Sequence, residues 1–331
     1  MCDCSWAQQA GACAGGSDGS ECWYTCCLMP THALHMQRDT TRDGKGLFFY
    51  QHIAKTGGTS WSDDIATTSP LRHCGNSHLV GPDSLNQLNR TLLWRLAQSV
   101  KTDSRTQCNL FNREDGLQTT LRVFASLGAT PKLILMLRSP TTHVRSMYSH
   151  CQAPSGFLRR QREAAGTFHP ISLGSWLRLF ANTSSPWGQG GWRYCYYNPV
   201  NYQAHLLAAN PWSDFNGDRP FPTGRFHFPT HTLDRVLALV QSSYFVAITE
   251  YYAHSLCLLR WRLTGQLPAS DCAARIKTSH TDYGNGAHQL VLSVEELSLI
   301  EQVSHIDTQL HGVGLDRLSH DAHKASFQLL R

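Results

Sequence analysis

Lys55-Thr56-Gly57-Gly58-Thr59-Ser60 follows directly on an apolar run from Leu47 to Ile53. A primary amine, three hydroxyls and two glycines in six residues make an anion cradle. The glycines let backbone wrap closely around an anion, a following helix aims its first N–H groups at it, and Lys55 supplies charge. The order differs from the G-x-x-x-x-G-K-[ST] nucleotide loop, whose lysine follows both glycines; here Lys55 precedes both. A second cluster lies farther along. Arg138 ends the apolar run Leu133 to Leu137, Ser139 and Pro140 supply a helix N-cap and first-turn proline, and Ser146 comes two turns into that helix. Val144, Met147, Tyr148 and Cys151 fall at helical spacing and are expected to face the core. That leaves Ser146 on another face, able to reach back toward Arg138. An arginine and a hydroxyl converging on one point suit a second phosphate. Two such sites on adjacent strands fit a nucleotide phosphorylated at both its 5′ and 3′ positions.

Three apolar runs must position these groups: Leu47 to Ile53, Leu133 to Leu137 and Tyr244 to Thr249 read as buried strands. Helical spacing covers Thr119 to Leu127, Leu173 to Phe180, Tyr202 to Ala209 and Leu233 to Val240, and Tyr252 to Leu263 reads as a largely buried helix. Ser293-Val-Glu-Glu296 is a capping box that should open the last long helix. Strands alternating with helices predict an α/β fold, a parallel sheet flanked by helices on both faces. Ligands then sit at the carboxyl ends of the strands, where both clusters fall.

The chain has 331 residues, 41% of them hydrophobic, enough for a substantial core. Its formal charge of +5 is modest and its Lys and Arg residues are scattered, which argues against a nucleic-acid partner and for a mild preference for anions. No transmembrane segment is visible, and the start lacks the charged-then-apolar order of a signal peptide. Twelve cysteines are unevenly placed. Cys2, Cys4, Cys13, Cys22, Cys26 and Cys27 fall in a leader rich in Gly, Ser and Ala, with spacings that match no standard zinc site. We read residues 1–45 as a poorly ordered leader and polar connector, 46–320 as the main domain and 321–331 as a tail. In the body, Cys74 with Cys108, Cys151 with Cys195 and Cys257 with Cys272 could pair in an oxidising compartment, or all six could be buried thiols. Sequons at Asn89 and Asn182 agree with a secretory route.

The lysine-first loop followed by R-x-P, with a serine eight residues after the arginine, resembles the two nucleotide motifs of sulfotransferases that use 3′-phosphoadenosine 5′-phosphosulfate. The resemblance is closest to the heparan sulfate 2-O- and 6-O-sulfotransferases and related carbohydrate sulfotransferases, over roughly residues 46–320. Cys195 to Ala208 looks like their N-x-Q stretch, and Tyr244 to Leu259 like their final strand and helix. The resemblance implies a P-loop-type sulfotransferase fold, a glycan or other hydroxyl-bearing acceptor, no required metal and a Golgi location, with a cytoplasmic one as the alternative. It also implies nucleotide contacts from Lys55, Thr56, Gly57, Gly58, Thr59, Ser60, Arg138 and Ser146, and from Lys277 and Thr278 before the terminal helix. The relatives place a catalytic histidine between the two motifs; this chain has Glu114 there, a carboxylate that can serve as base if burial raises its proton affinity. His73 and His78 compete for that role. Arg159, Arg160, Arg162, Trp187 and Trp192 suit an acidic sugar, or equally a solvated loop over core aromatics. A phosphate-transferring kinase and a non-catalytic nucleotide- or glycan-binding relative are the alternative readings. The kinase lacks both the Walker order and a clear acidic magnesium motif.

Overall fold

A computed structural model describes residues 46–74, 109–113, 117–126, 129–152, 163, 171–181, 197–208, 230–266, 269, 272–275 and 291–326. Four strands form an all-parallel sheet surrounded by helices: β1 (Phe48–Gln51), β2 (Leu110–Arg113), β3 (Lys132–Leu137) and β4 (Phe245–Ile248), in the order β2-β1-β3-β4. The protein is therefore α/β. Three of the strands are the apolar runs expected from the sequence. The fourth, β2, is not apolar in pattern, since half of it is Asn112 and Arg113, yet all four of its residues are buried.

The chain passes from β1 outward to β2 and then returns to β3 on the other side of β1. That reversal opens a crevice between the carboxyl ends of β1 and β3, the place where open parallel sheets hold ligands. The helices are α1 (Gly58–Thr68), α2 (Leu117–Ser126), α3 (Pro140–Gln152), α4 (Leu173–Ala181), α5 (Tyr202–Ala208), α6 (Thr230–Ser242), α7 (Tyr252–Thr264), α8 (Cys272–Arg275), α9 (Val294–Val303) and α10 (His305–Lys324). Both faces of the strands are buried. Phe48, Phe49, Tyr50, Ile134, Met136, Phe245 and Ile248 are among the fully covered side chains of one continuous core that includes Trp61, Phe124, Trp176 and Leu310.

Two expectations about the C-terminal part change. The Ser293–Glu296 capping box is present, with Ser293 Oγ accepting from Glu296 N and the Glu296 carboxylate accepting from Ser293 N. The helix it opens ends at Val303, and α10 begins after Ser304, so the expected single helix is two. The chain breaks there without Gly or Pro because Asn201 accepts from Ile306 N through its side chain and donates its own N–H to Val303 O. Residues 321–324, expected in a tail, belong to α10. Buried Asp321 receives Arg262 Nη1 at 2.7 and 2.9 Å there.

Cys257 and Cys272 form a disulfide, the first of the two alternatives open from the sequence, and tie α7 to α8. Closing a loop of this length contributes roughly 3 kcal/mol by restricting the unfolded chain. Cys74 and Cys151 are also disulfide-bonded, to partners outside the described residues. Cys108 and Cys195, the partners expected for them, lie outside those residues, as do the whole leader and both sequons. Among the described residues no helix is long and apolar enough to cross a membrane.

Candidate functional site

Backbone hydrogen bonding explains the shape of the loop after β1. The carbonyls of four successive residues are all engaged. Ile53 O accepts from Thr56 N at 3.3 Å and Thr56 Oγ1 at 2.8 Å. Ala54 O accepts from His143 Nε2 at 2.8 Å, Lys55 O from Arg138 Nη1 at 2.9 Å, and Thr56 O from Thr249 Oγ1 at 2.6 Å. These donors come from α3, the end of β3 and the end of β4. With its carbonyls held from three sides, the loop turns N–H groups the other way, and Lys55 sits at a positive φ of 67° to allow it. A non-glycine residue in the left-handed region is uncommon, and here it lies where the carbonyls on both sides of it are held by neighbouring elements.

The two glycines are required for different reasons. Gly57, at φ 86°, is the N-cap of α1 and could accept a methyl group sterically, its nearest neighbours lying 3.8 Å or more from an added Cβ. Gly58 has no such room: an added Cβ would stand 1.9 Å from His52 Cδ2. His52 cannot swing aside easily, being buried and stacked on Tyr50. Because Gly57 caps α1 with no side chain, and the first intrahelical bond is Trp61 N to Gly57 O, the leading N–H groups of α1 have no helical partner. They and Lys55 face the same end of the sheet. Behind them, Tyr252 Oη donates to Asp64 Oδ2 at 2.7 Å and the Tyr252 ring meets Trp61 edge-on, fixing α1 against α7.

Arg138 comes from the neighbouring strand, across the crevice. Its guanidinium donates through Nη1 to Lys55 O and through Nε to Thr142 Oγ1 at 3.1 Å. Thr142 in turn donates to Glu250 Oε1 at 2.7 Å, and the Glu250 carboxylate accepts from Ser139 N at the start of α3. Burial would raise the Glu250 carboxyl, but His311, Thr142 and its own backbone N–H together hold it down to about 2. It is ionised and occupies the N-terminus of α3. The Ser139 N–H at the start of α3 is therefore already taken by a carboxylate of the protein itself. Burial also lowers the Arg138 guanidinium, with Glu250 opposing the shift, and it keeps its charge.

Arg138 donates to Thr142, one turn into α3, while Ser146, expected to converge with Arg138 on one anion, lies one turn further along the helix. Ser146 does share a stripe of α3 with His143 and His150, the i, i+3, i+7 positions. His143 touches the loop at Ala54, and His150 lies close enough to Lys55 for that ammonium to join burial in lowering its imidazole to about 4. Ser146 therefore lies on the loop-facing side of α3. Of the residues expected to face the core, Val144, Met147 and Cys151 are buried. Tyr148 is only partly covered and donates to Ile171 O, while His143 takes the remaining core position.

His143 is neutral. Burial lowers its imidazole to about 3, opposed by its bond to Ala54 and helped by Arg138. An unfolded imidazole titrates near 6.5, so between those values the unfolded chain binds the extra proton; stability is complete above about pH 6.5 and falls as the pH drops toward 3. His143→Gln keeps an N–H donor for Ala54 O but cannot titrate. The stability gap between the native protein and this variant should narrow by about 1.4 kcal/mol per unit below pH 6.5. Urea denaturation at pH 7.5 and 5.5 measures it, and an unchanged gap would show that His143 titrates as an exposed imidazole.

His73 stands apart from the loop. It pairs with Leu110, at the amino end of β2, and its Nε2 donates to Ser62 O at 2.8 Å. Ser62 Oγ meanwhile accepts from Asn112 Nδ2 at 2.8 Å. Lys55, Arg138 and Glu250 all follow carboxyl ends, whereas the His73 backbone pairs at an amino end and its ring reaches Ser62, early in α1. Glu114, His78, Lys277 and Thr278 lie outside the described residues, as do Arg159, Arg160, Arg162, Trp187 and Trp192. Thr59 and Ser60 are in the first turn of α1. The sequence reading passed over His143, which reaches the loop from α3, Thr249, which reaches it from the end of β4, and Glu250, which holds Thr142, because none carries a local spacing signal.

Fold and site together define an α/β protein in which the loop after β1 and the end of β3 are hydrogen-bonded to one another at a sheet switch point. No protein-family model matches the chain, and a search of curated proteins finds no match.

Proposed function

We propose that this protein transfers a sulfuryl group from 3′-phosphoadenosine 5′-phosphosulfate to a hydroxyl or amine of an acceptor, most simply a glycan, on a sulfotransferase-type P-loop fold. The observation that carries the reading is the bond from Arg138 Nη1 to Lys55 O, which joins the two anion-binding motifs across the crevice between β1 and β3. Two basic sites on touching loops suit one ligand with two phosphates, better than two separate ligands.

The residues fit that co-substrate. The leading N–H groups of α1, the Thr56 to Ser60 segment and Lys55 would hold the 5′ end; the donors that Arg138 retains beyond its two internal bonds, with Ser146, would hold the 3′-phosphate. The co-substrate supplies an activated sulfuryl group, whose bond to a phosphate oxygen breaks as a bond to the acceptor oxygen forms. Lys55 and the loop N–H groups stabilise the negative charge left on that phosphate oxygen, a preorganised electrostatic role. A base must take the acceptor's proton. Glu114 follows Arg113 at the carboxyl end of β2, the strand beside the loop, and we assign the role to it. Glu114→Gln should abolish transfer and leave nucleotide affinity intact, whereas His73→Ala, which removes a ring engaged by Ser62, should retain most of the activity. Near-normal turnover by Glu114→Gln would move the base elsewhere, with His150 the first imidazole to examine. The bonded state of Cys74, Cys151, Cys257 and Cys272 supports an oxidising compartment such as the Golgi lumen.

The test is transfer of radiolabelled sulfate from 3′-phosphoadenosine 5′-phosphosulfate to a mixed glycan pool with magnesium chelated. Label in the glycan supports the reading. Label transfer only from ATP, and only with magnesium, would make the protein a kinase.

A further inference from the structure

Gln203 is fully buried, and its side-chain amide closes on the backbone of Arg138 at both polar groups. Arg138 N donates to Gln203 Oε1 at 2.9 Å, and Gln203 Nε2 donates to Arg138 O at 2.8 Å. A neighbouring strand makes this pair of bonds within a sheet; here one side chain makes it just past the end of β3. Gln203 is held in turn. Its backbone N–H donates to Asp307 Oδ2 at 3.1 Å, and that of Ala204 to Asp307 Oδ1 at 2.8 Å. These are first-turn N–H groups of α5, which the N-cap side chain of the same helix would ordinarily satisfy. That N-cap, Asn201, instead gives its side-chain oxygen to Ile306 N, in the first turn of α10. The two helices thus cap each other.

Placing a carboxylate here is not the least costly way to cap α5. Asp307 is buried in α10, and burial raises its carboxyl to about 7 against the opposing pull of the Ala204 and Gln203 N–H groups. A carboxylate with two oxygens on two successive N–H groups fixes more than a single-oxygen cap does: it fixes the Cα of Gln203 relative to α10. From there the side-chain amide fixes the peptide of Arg138, and the guanidinium fixes the carbonyl of Lys55. An unbroken series of hydrogen bonds runs from the C-terminal helix to the lysine.

We propose that Gln203, oriented by Asp307, is a positioning residue for Arg138, so that the geometry of both anion-binding loops is set by the α5–α10 junction. The nucleotide part of this proposal rests on the function proposed above; the part concerning loop order does not.

Gln203→Glu keeps shape and the acceptor for Arg138 N but sets an oxygen against Arg138 O. Asp307→Asn perturbs the same series from the other helix and serves if the first variant folds poorly. Hydrogen exchange of the full chain should show peptides spanning 54–58 and 138 exchanging about tenfold faster in either variant, with those of α7 unchanged. Titration should show adenosine 3′,5′-bisphosphate affinity falling by about tenfold and 5′-AMP affinity by less than about threefold. In an Arg138→Ala background, Gln203→Glu should cost less than about twofold, because coupled residues are not additive. Additive losses, unchanged loop exchange, or exchange raised evenly over the whole sheet in both variants would each overturn the positioning role. If the native protein fails to distinguish the two nucleotides, the sulfotransferase reading fails, and the exchange measurement alone decides the positioning.

Discussion

Gly58→Ala should destabilise the protein by about 3 kcal/mol or more, the upper end of ordinary overpacking, and abolish nucleotide binding with it. The new methyl group meets the His52 ring at 1.9 Å, and that ring is stacked and buried. Relief requires the buried His52 ring, the β1 end or the first turn of α1 to move, and the last two carry the loop. Gly57→Ala is the informative contrast. Space exists there, so the expected loss is only the conformational cost of a left-handed L-residue, about 1–2 kcal/mol. Thermal melts of the two variants should rank accordingly. A Gly58→Ala protein as stable as Gly57→Ala would show that His52 yields, and that the close packing of α1 on β1 is not what shapes the cradle.

Lys55→Ala should lower turnover by about two to three orders of magnitude while weakening nucleotide binding by about tenfold or less. The asymmetry follows from when the charge appears: the ammonium acts most strongly on the phosphate oxygen as its bond to sulfur breaks, and less on the ground state. The substitution is clean in one respect. Lys55 already occupies a positive φ, and alanine is no better and little worse there, so the backbone term nearly cancels. Steady-state kinetics with a parallel binding titration separates the two effects. Equal losses in turnover and affinity would reduce Lys55 to a binding residue.

Those two residues were legible from sequence because the chemistry of the loop is local. Amine, glycines and hydroxyls follow one strand, and both glycine requirements arise within a few residues of the motif. The strand Lys132–Leu137 was equally plain, since a run buried on both faces is continuously apolar. β2 was not, because its burial does not follow from its residue types. Asn112 is accommodated by Ser62 of α1, and Arg113 is almost fully covered with its guanidinium lowered by burial to about 10, facts that only the assembled fold supplies. The Arg138 cluster was legible in sequence, whereas the residue that hydrogen-bonds its guanidinium, Thr142, was not. Helical spacing correctly put Ser146 off the core face, but it could not reveal that Thr142 lies within reach of Arg138 or that Glu250 arrives from β4 to hold Thr142. Likewise the physical content of the stretch around Asn201 and Gln203 depends on partners distant in sequence, Ile306 of α10 at a separation of 105 residues and Arg138 past β3 at 65.

The most direct test of the two-phosphate site is calorimetric titration of the native protein with adenosine 3′,5′-bisphosphate and with 5′-AMP, under identical salt. The ligands share the adenosine and the 5′-phosphate and differ by the group that Arg138 and Ser146 are assigned to hold. One or two charge-assisted hydrogen bonds to that group predict a preference for the bisphosphate of about a hundredfold or more. Equal affinity for the two nucleotides would contradict the account.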